Sequence, residues 1–323
     1  MDRRYRCRHG LIARIRRLHV PDLAAPAAVV APSPQSGGLA VDVSIVVLTW
    51  EDFERTNACV RSLPSAAEVV VVDNGSAADI SSALQAMCDE TGARYLRSEV
   101  NLGYAKGMNL GVRHTTRSRV VLSNNDIVVR TGAVEELSAR LDDPTVGAAF
   151  PTVLDVNGAD QTAAGRFLTV PAGLAHATGL SLVLPRLRIV SPPEQGDWFS
   201  GPFVAIRRET LDAIGGVDES SFFYSEDLRL CWAVRRLGLR LAYVPAAVVT
   251  HEDDASAKRR WPPEEISRRQ TREFIRASRE LAGWRGRIAC SAYTLGVLLR
   301  AGVGGGATRR AVARGAIEGL RAR

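Results

Sequence analysis

Arg119-Val120-Val121-Leu122-Ser123-Asn124-Asn125-Asp126-Ile127-Val128-Val129 sets a β-branched run against four polar residues before apolar residues resume. The run predicts a buried strand, and Ser123 to Asp126 predict its abrupt carboxyl end. In open α/β sheets, ligands bind outside that edge. One carboxylate beside two amide oxygens suits a hard divalent cation, and such a cation commonly brings a phosphate ligand with it. Taken alone, the same residues also read as an ordinary polar turn between two strands.

The chain upstream repeats the pattern. Val41 to Leu48 is a near-continuous apolar strand of the kind found in parallel sheets, and it stops at Thr49-Trp50-Glu51-Asp52. Phe53 to Leu63 has helical spacing, and Pro64 ends it. Glu68 to Val72 is the next strand, stopping at Asp73-Asn74-Gly75-Ser76, and Ile80 to Thr91 is a helix with Asp79 as its expected N-cap. Tyr95-Leu96 leads into Asn101 to Asn109, helical from Ala105. Strand–helix repetition with polar strand ends predicts an α/β fold: a single doubly wound, mostly parallel sheet with a nucleotide-sized ligand at the carboxyl edge. No G-x-G-x-x-G follows the first strand. The late run Gly302-Val303-Gly304-Gly305-Gly306-Ala307 imitates that fingerprint but follows no strand, and reads as a flexible break.

Downstream, Thr131–Leu141 reads as a helix and Val146–Phe150 as a strand. Residues 152–197 read as an irregular excursion over the site. Helix Leu228–Leu237, strand Arg240–Val244 and the segment Val248–Thr250 lead to His251, and residues 264–300 form a basic helical region. The predicted division is 1–42, a basic segment with a Pro/Ala-rich linker; 43–255, the α/β domain; and 256–323, a basic helical extension.

The net charge of +7 is unevenly placed: +6 over residues 1–20, +11 over 256–323 and −10 between them. An acidic body with basic ends argues against a nucleic-acid-binding core and for an enzyme whose ends touch an anionic surface. The five cysteines are scattered without a C-x-x-C, which points to a reducing compartment. No apolar run reaches the ~20 residues needed to span a bilayer, and the opening segment lacks an apolar secretory core. These features predict a cytoplasmic location, with the basic ends available for the inner membrane face.

The acids at the strand ends suggest chemistry. Asp73 suits the imide N–H of a uracil or thymine ring, and Glu51 and Asp52 suit a base or ribose; each is also a common cap or turn residue. In order along the chain, Ser44-Ile45-Val46-Val47-Leu48-Thr49-Trp50, Val72-Asp73-Asn74-Gly75-Ser76, Asn101-Leu102-Gly103-Tyr104-Ala105-Lys106-Gly107-Met108-Asn109, Asn124-Asn125-Asp126, Trp198-Phe199-Ser200-Gly201, Gly215-Gly216-Val217-Asp218-Glu219, Phe222-Phe223-Tyr224-Ser225-Glu226-Asp227 and His251 resemble an inverting family 2 glycosyltransferase with the GT-A fold, and most closely its rhamnosyltransferase branch. The resemblance covers roughly residues 43–255.

That resemblance implies roles. Thr49, Glu51 and Asp73 line the base and ribose pocket. Asn101, Gly103 and Lys106 lie near the donor sugar and diphosphate. Asn124-Asn125-Asp126 stands in for the family's D-x-D, with Asp126 the metal-binding acid and His251 a second ligand for Mg²⁺ or Mn²⁺. Glu226 and Asp227 are the acceptor-side acids, with Asp227 resembling the base, and Trp198 is the expected acceptor-side stacking residue. Two departures stand out. Asn124 replaces the first acid of D-x-D, and Glu51-Asp52 stands where relatives often have Asn. The implied partners are a dTDP- or UDP-sugar donor and a glycan or polyprenyl-diphosphate-linked saccharide acceptor.

The chemistry agrees with those roles. A departing diphosphate needs a cation, and a sugar hydroxyl needs a base as it attacks. The expected position of Glu226-Asp227 at the start of a helix favours ionised acids. Rival readings are a sugar-phosphate nucleotidyltransferase, which usually carries a Gly-rich loop after its first strand, and a non-catalytic nucleotide-sugar or membrane-binding scaffold.

Overall fold

A computed structural model describes residues 42–252, 261–302 and 306–322. The expectations for 1–41, for the domain boundary between 255 and 256, and for 303–305 lie outside them. The order begins β1 (Val43–Thr49), α1 (Phe53–Ser62), β2 (Glu68–Asp73), α2 (Ala78–Thr91), β3 (Arg94–Arg97), α3 (Tyr104–Val112), β4 (Arg119–Asn124), β5 (Ile127–Val129), α4 (Ala133–Arg140) and β6 (Val146–Leu154). An excursion follows with β7 (Ala164–Gly165), α5 (Val170–Thr178), β8 (Val190–Ser191) and β9 (Trp198–Phe199). Then come β10 (Phe203–Arg207), α6 (Arg208–Ala213), α7 (Glu226–Arg236), β11 (Arg240–His251), α8 (Pro263–Leu281), α9 (Gly283–Gly302) and α10 (Ala307–Arg321).

Eight strands form one sheet in the order β3-β2-β1-β4-β10-β6-β11-β5, and β8-β7-β9 form a small second sheet. β3, β2, β1 and β4 run parallel, as do β6 and β11, while β10 and β5 run against their neighbours. The alternation of strand side chains divides the core. Val43, Ile45 and Val47 of β1 join the cluster that holds Leu84 and Leu137. Val46 points the other way, into a cluster with Met108, Phe150 and Leu211. Burial of both faces explains why β1 is an unbroken apolar run.

α3 lies unusually close to the sheet. A Cβ at Gly107 would sit 2.5 Å from Leu48 Cδ1, and one at Gly111 2.3 Å from Val46 Cγ1. This close approach sets the start of α3 beside the carboxyl ends of β1 and β2.

The structure differs from the sequence reading in several places. α2 begins two residues before Ile80; Asp79 lies in its first turn rather than at the cap, and Glu51 Oε1 accepts the N–H of Ala77, the residue before the helix, at 2.9 Å. β11 is one 12-residue strand, with a register irregularity between Val244 and Val248. The excursion contains α5, and the basic region is three helices, with Ala277 of α8 buried in the sheet's second cluster. Among the described residues, no helix is long and apolar enough to cross a membrane.

Candidate active site

Strand register gathers the expected donor-side residues. Thr49 is level with Asp73 across β1 and β2, and Leu48 with Asn124 across β1 and β4. Thr49, Asp73 and Asn124 therefore end three adjacent parallel strands. Several of these side chains are already engaged in building the edge. Asp73 is wholly buried; it accepts the Ser76 N–H at 2.9 Å, the Tyr95 hydroxyl at 2.8 Å and the Ser81 hydroxyl. Burial opposes its charge, yet the hydrogen bonds from Ser81, Ser76 and Tyr95 hold its carboxyl below the usual range. The Thr49 hydroxyl accepts from Thr56 at 2.7 Å, and Asn125 Nδ2 donates to the Thr56 hydroxyl at 3.2 Å. Glu51 has φ +54° and bonds to the β2–α2 turn through both its N–H and its carboxylate.

The loop before α3 is tied to the same edge. Asn101 Oδ1 accepts the Gly103 N–H at 2.9 Å and the Asn74 amide at 3.2 Å, while Asn74 Oδ1 accepts the Leu102 N–H at 2.9 Å. Gly103 has φ +82°, and a Cβ there would sit 2.7 Å from the Phe222 carbonyl oxygen. Lys106 is exposed on α3 and makes no hydrogen bond or ion pair among the described residues. Gly103→Ala is expected to cost about 1–3 kcal/mol from strain and overpacking. A melting curve checks it: an unchanged midpoint would show that the loop gives way freely.

The turn after β4 carries Asn125 and Asp126. β5 pairs antiparallel with β11, His251 standing opposite Ile127, and the Glu252 N–H donates to the Asp126 carbonyl at 3.1 Å. This pairing brings His251 Nε2 to 3.2 Å from Asp126 Oδ1, an oxygen buried without a hydrogen bond. An anionic oxygen and an imidazole nitrogen withdrawn from solvent at that separation fit a divalent cation. Among the described residues, no group of three or more His, Cys, Asp or Glu side chains forms a cage. The remaining ligands would be diphosphate oxygens and water, the usual pattern for Mg²⁺.

The acceptor-side acids open a helix, as the sequence predicts, but their acidity departs from expectation. α7 starts at Glu226, so both acids lie in its first turn, preceded by Tyr224 and Ser225 at φ +75° and +69°. Two successive left-handed residues other than Gly are costly, and such strain concentrates at functional sites. Asp227 Oδ1 accepts the Leu228 N–H at 2.7 Å, and the Gly201 N–H also supports it. Burial pushes Asp227 up to about 6 despite these donors. Burial, then the charges of Asp227 and Glu273, raise Glu226 further still, and its Oε2 is buried without a hydrogen bond. The helix end therefore does not keep this pair at ordinary acidity; desolvation of both, and for Glu226 the charge of Asp227, outweigh the dipole.

Both acids have folded pKa values above the unfolded ones. The stability this linkage contributes is present below the unfolded values and is lost as pH rises through the folded ones. The thermal midpoint of the wild type is thus expected to fall between about pH 5 and about pH 8, and Glu226→Gln to flatten that fall. Parallel melting curves for the two proteins would settle it, and identical slopes would exclude the strained pair.

Tyr104 connects the two halves. Its N–H donates to the Phe222 carbonyl at 3.1 Å, and its hydroxyl is raised well above its usual pKa by burial and by the charges of Glu226, Asp227 and Asp126. Acids from two stretches distant in sequence, the β4–β5 turn and the start of α7, therefore bear electrostatically on one phenol. Trp198 is not on this wall. It is buried, with its indole N–H donating to the Arg166 carbonyl at 3.3 Å and its ring against Gly165. Phe222, four residues before Glu226, is exposed, and it lines a cleft with Phe223, Tyr224, Trp261, Arg269, Arg272 and Glu273. Sequence reasoning does not single out Tyr104, and it weighs Phe222 to Tyr224 as core aromatics while favouring Trp198 for stacking; the place of Tyr104 and Phe222 inside the family's motifs is the available signal.

The architecture is that of GT-A glycosyltransferases. The mannosyltransferase PcManGT from Pyrobaculum calidifontis, solved with GDP-Man and Mn²⁺, superposes with a TM-score of 0.56 at 16% identity, covering 86% of this chain and 87% of that one. GalNAc-T7, solved with UDP, GalNAc and Mn²⁺, gives 0.52 at 15% identity over 74% of this chain and 47% of that one. Residues 41–275 match the family described as glycosyltransferase like family 2, and the chain belongs to that family.

Among its relatives, a pre-mycofactocin glycosyltransferase of Mycobacterium tuberculosis is 29% identical over 73% of this chain. The chain spans about half the length of that relative, 47%. An N-acetylglucosaminyl-diphospho-decaprenol L-rhamnosyltransferase of the same organism is 26% identical over 74% of this chain and 85% of its own. A low-salt glycan biosynthesis hexosyltransferase of Haloferax volcanii is 26% identical over 68% and 69%.

Proposed function

We propose that this protein transfers a sugar from a nucleoside diphosphate sugar to a hydroxyl of a saccharide acceptor, with inversion at the anomeric carbon. The observation that carries this reading is that one stretch of backbone joins the two sets of acids: the Asn124 N–H donates to the Pro202 carbonyl at 2.8 Å, the neighbouring Gly201 N–H supports Asp227, and the charges of Asp126, Glu226 and Asp227 all bear on Tyr104, with His251 beside Asp126. One acid lies at the carboxyl edge of the parallel strands, where a nucleotide belongs; the other two lie at the start of α7.

On the donor side, Thr49, Glu51, Asp73 and Asn101 shape the edge, the last two largely through the turns they hold. Asp126 and His251 would hold Mg²⁺ or Mn²⁺, which when bound stabilises charge on the diphosphate. On the acceptor side, Asp227 takes the proton of the attacking hydroxyl. Its raised pKa strengthens it as a base while leaving it ionised near neutral pH. Glu226, held protonated more readily by burial and then by the charge beside it, positions the acceptor by hydrogen bonding. Phe222 offers an apolar ring face for a sugar.

The donor favoured is dTDP-L-rhamnose and the acceptor a polyprenyl-diphosphate-linked saccharide. The sequence motifs support this choice, as does the relative that covers most of its own length in the match. The test is a turnover screen of dTDP-, UDP- and GDP-sugars with Mn²⁺ against a short-chain prenyl-diphosphate N-acetylglucosamine. Transfer from dTDP-rhamnose is expected; transfer only from another donor would reject the rhamnose assignment, and diphosphate release from a nucleoside triphosphate would favour a nucleotidyltransferase.

A further inference from the structure

α9 is apolar on both sides. Its inner face buries Ala289, Cys290, Tyr293 and Val297 against α5, α8 and α10. Its outer face repeats at helical spacing through Trp284, Ile288, Leu295 and Leu299, all exposed, Trp284 at 67%. A helix that is apolar all round belongs inside a core or in contact with lipid, yet half of α9 faces outward.

The neighbouring excursion shares the property. α5 crosses α9 at backbone contact: a Cβ at Gly173 would sit 2.4 Å from the Ala289 carbonyl oxygen, and one at Gly296 2.7 Å from that of His176. Leu174 on α5, and Leu180, Leu182 and Val183 just after it, are exposed, Val183 at 70%. Nine of the fourteen large apolar side chains exposed among the described residues lie on these two packed segments. Scattered exposed leucines need no explanation, whereas a concentration of this kind does. Tyr293 of α9 is turned away from this surface, buried and stacked on His176 with centroids 4.2 Å apart.

The charge around this surface selects its occupant. On α9, Arg285 and Arg287 are exposed, Arg300 donates to the His176 carbonyl at 2.8 Å, and there is no acid. In the excursion, Arg188 donates to the Leu182 carbonyl at 2.8 Å. Residues 166–193 hold three Arg and no acid. A second copy of the same face would set arginine rim against arginine rim. An anionic bilayer complements the rim, accepts the apolar stripe, and suits an exposed tryptophan at the level of the headgroups. We infer that the α5–α9 surface docks the protein in the plane of an anionic membrane, inserting Trp284, Ile288, Leu295, Leu299 and the Leu180–Val183 turn. This deepens the reading above, since a lipid-linked acceptor would be met at that surface.

The test uses the full chain and sedimentation with vesicles of phosphatidylglycerol or of phosphatidylcholine. Binding to the anionic vesicles is expected, with a drop of about tenfold or more in partitioning for Leu295→Asp with Leu299→Asp. Nucleotide affinity and the melting midpoint of that variant should stay at wild-type values, because both side chains are exposed and outside the candidate site. Equal binding to the two vesicle types, or wild-type partitioning of the variant, overturns the proposal. So does a concentration-dependent dimer abolished by the same substitutions, which would assign the face to a second copy. Vesicle binding without any sugar transfer would leave the docking surface standing and refute the proposed activity; transfer to a soluble acceptor without vesicle binding would do the reverse.

Discussion

Asp227→Asn is expected to lower kcat by about 10²–10⁴-fold while nucleotide affinity stays at the wild-type value. The substitution keeps the shape and one oxygen to accept the Leu228 and Gly201 N–H groups, so the first turn of α7 should hold. It removes the only property the mechanism needs there, the capacity to take a proton. The wild type should also lose kcat/KM as pH falls through about 6, because the base must be ionised and its pKa is raised to about that value. A variant with normal turnover, or an acid limb at the ordinary carboxylate value, would move the base elsewhere, with Glu226 the nearest alternative.

Asp126→Ala should remove the increment in nucleoside diphosphate affinity produced by Mn²⁺, and lower kcat/KM by about 10²-fold or more, as expected for loss of several kcal/mol of charge stabilisation. Asn124 is uncharged, so Asp126 is the single carboxylate of its motif, and the second ligand proposed is His251, whose Nε2 stands 3.2 Å from Asp126 Oδ1. His251→Ala should therefore weaken the same increment without abolishing it. Titration of the nucleotide with and without Mn²⁺, by calorimetry, reads both variants. An increment that survives Asp126→Ala would place the cation away from this turn.

The carboxyl edge was legible because the strands that build it are buried on both faces. β1, β2 and β4 appear as continuous apolar runs, and their ends appear as sudden polar residues. The pairing of Asp126 with His251 was not legible as geometry, since it depends on a long-range antiparallel pairing between β5 and β11. α5 escaped notice because its buried face is Ala172, Gly173 and Ala175, residues too small to give a periodic apolar signal. The break between α8 and α9 falls at Gly283, φ +57°, inside a stretch with continuous helical spacing. Aromatic residues gave no hint of their direction: Trp198 turned into the core, and Phe222 outward.

The acidity of Glu226 and Asp227 was misjudged for a physical reason. Their place at a helix start was visible, but the desolvation and the approach of Glu273 from α8 were not. The same holds for Asp73 and Asn101, whose side chains are committed to internal hydrogen bonds that only the folded loop reveals.

Division of labour between a donor-side acid and an acceptor-side base implies one direct displacement at the anomeric carbon. Proton NMR of the first transferred sugar, compared with the donor, reads that step directly. The account requires the opposite anomeric configuration in the product; the same configuration as the donor would contradict it.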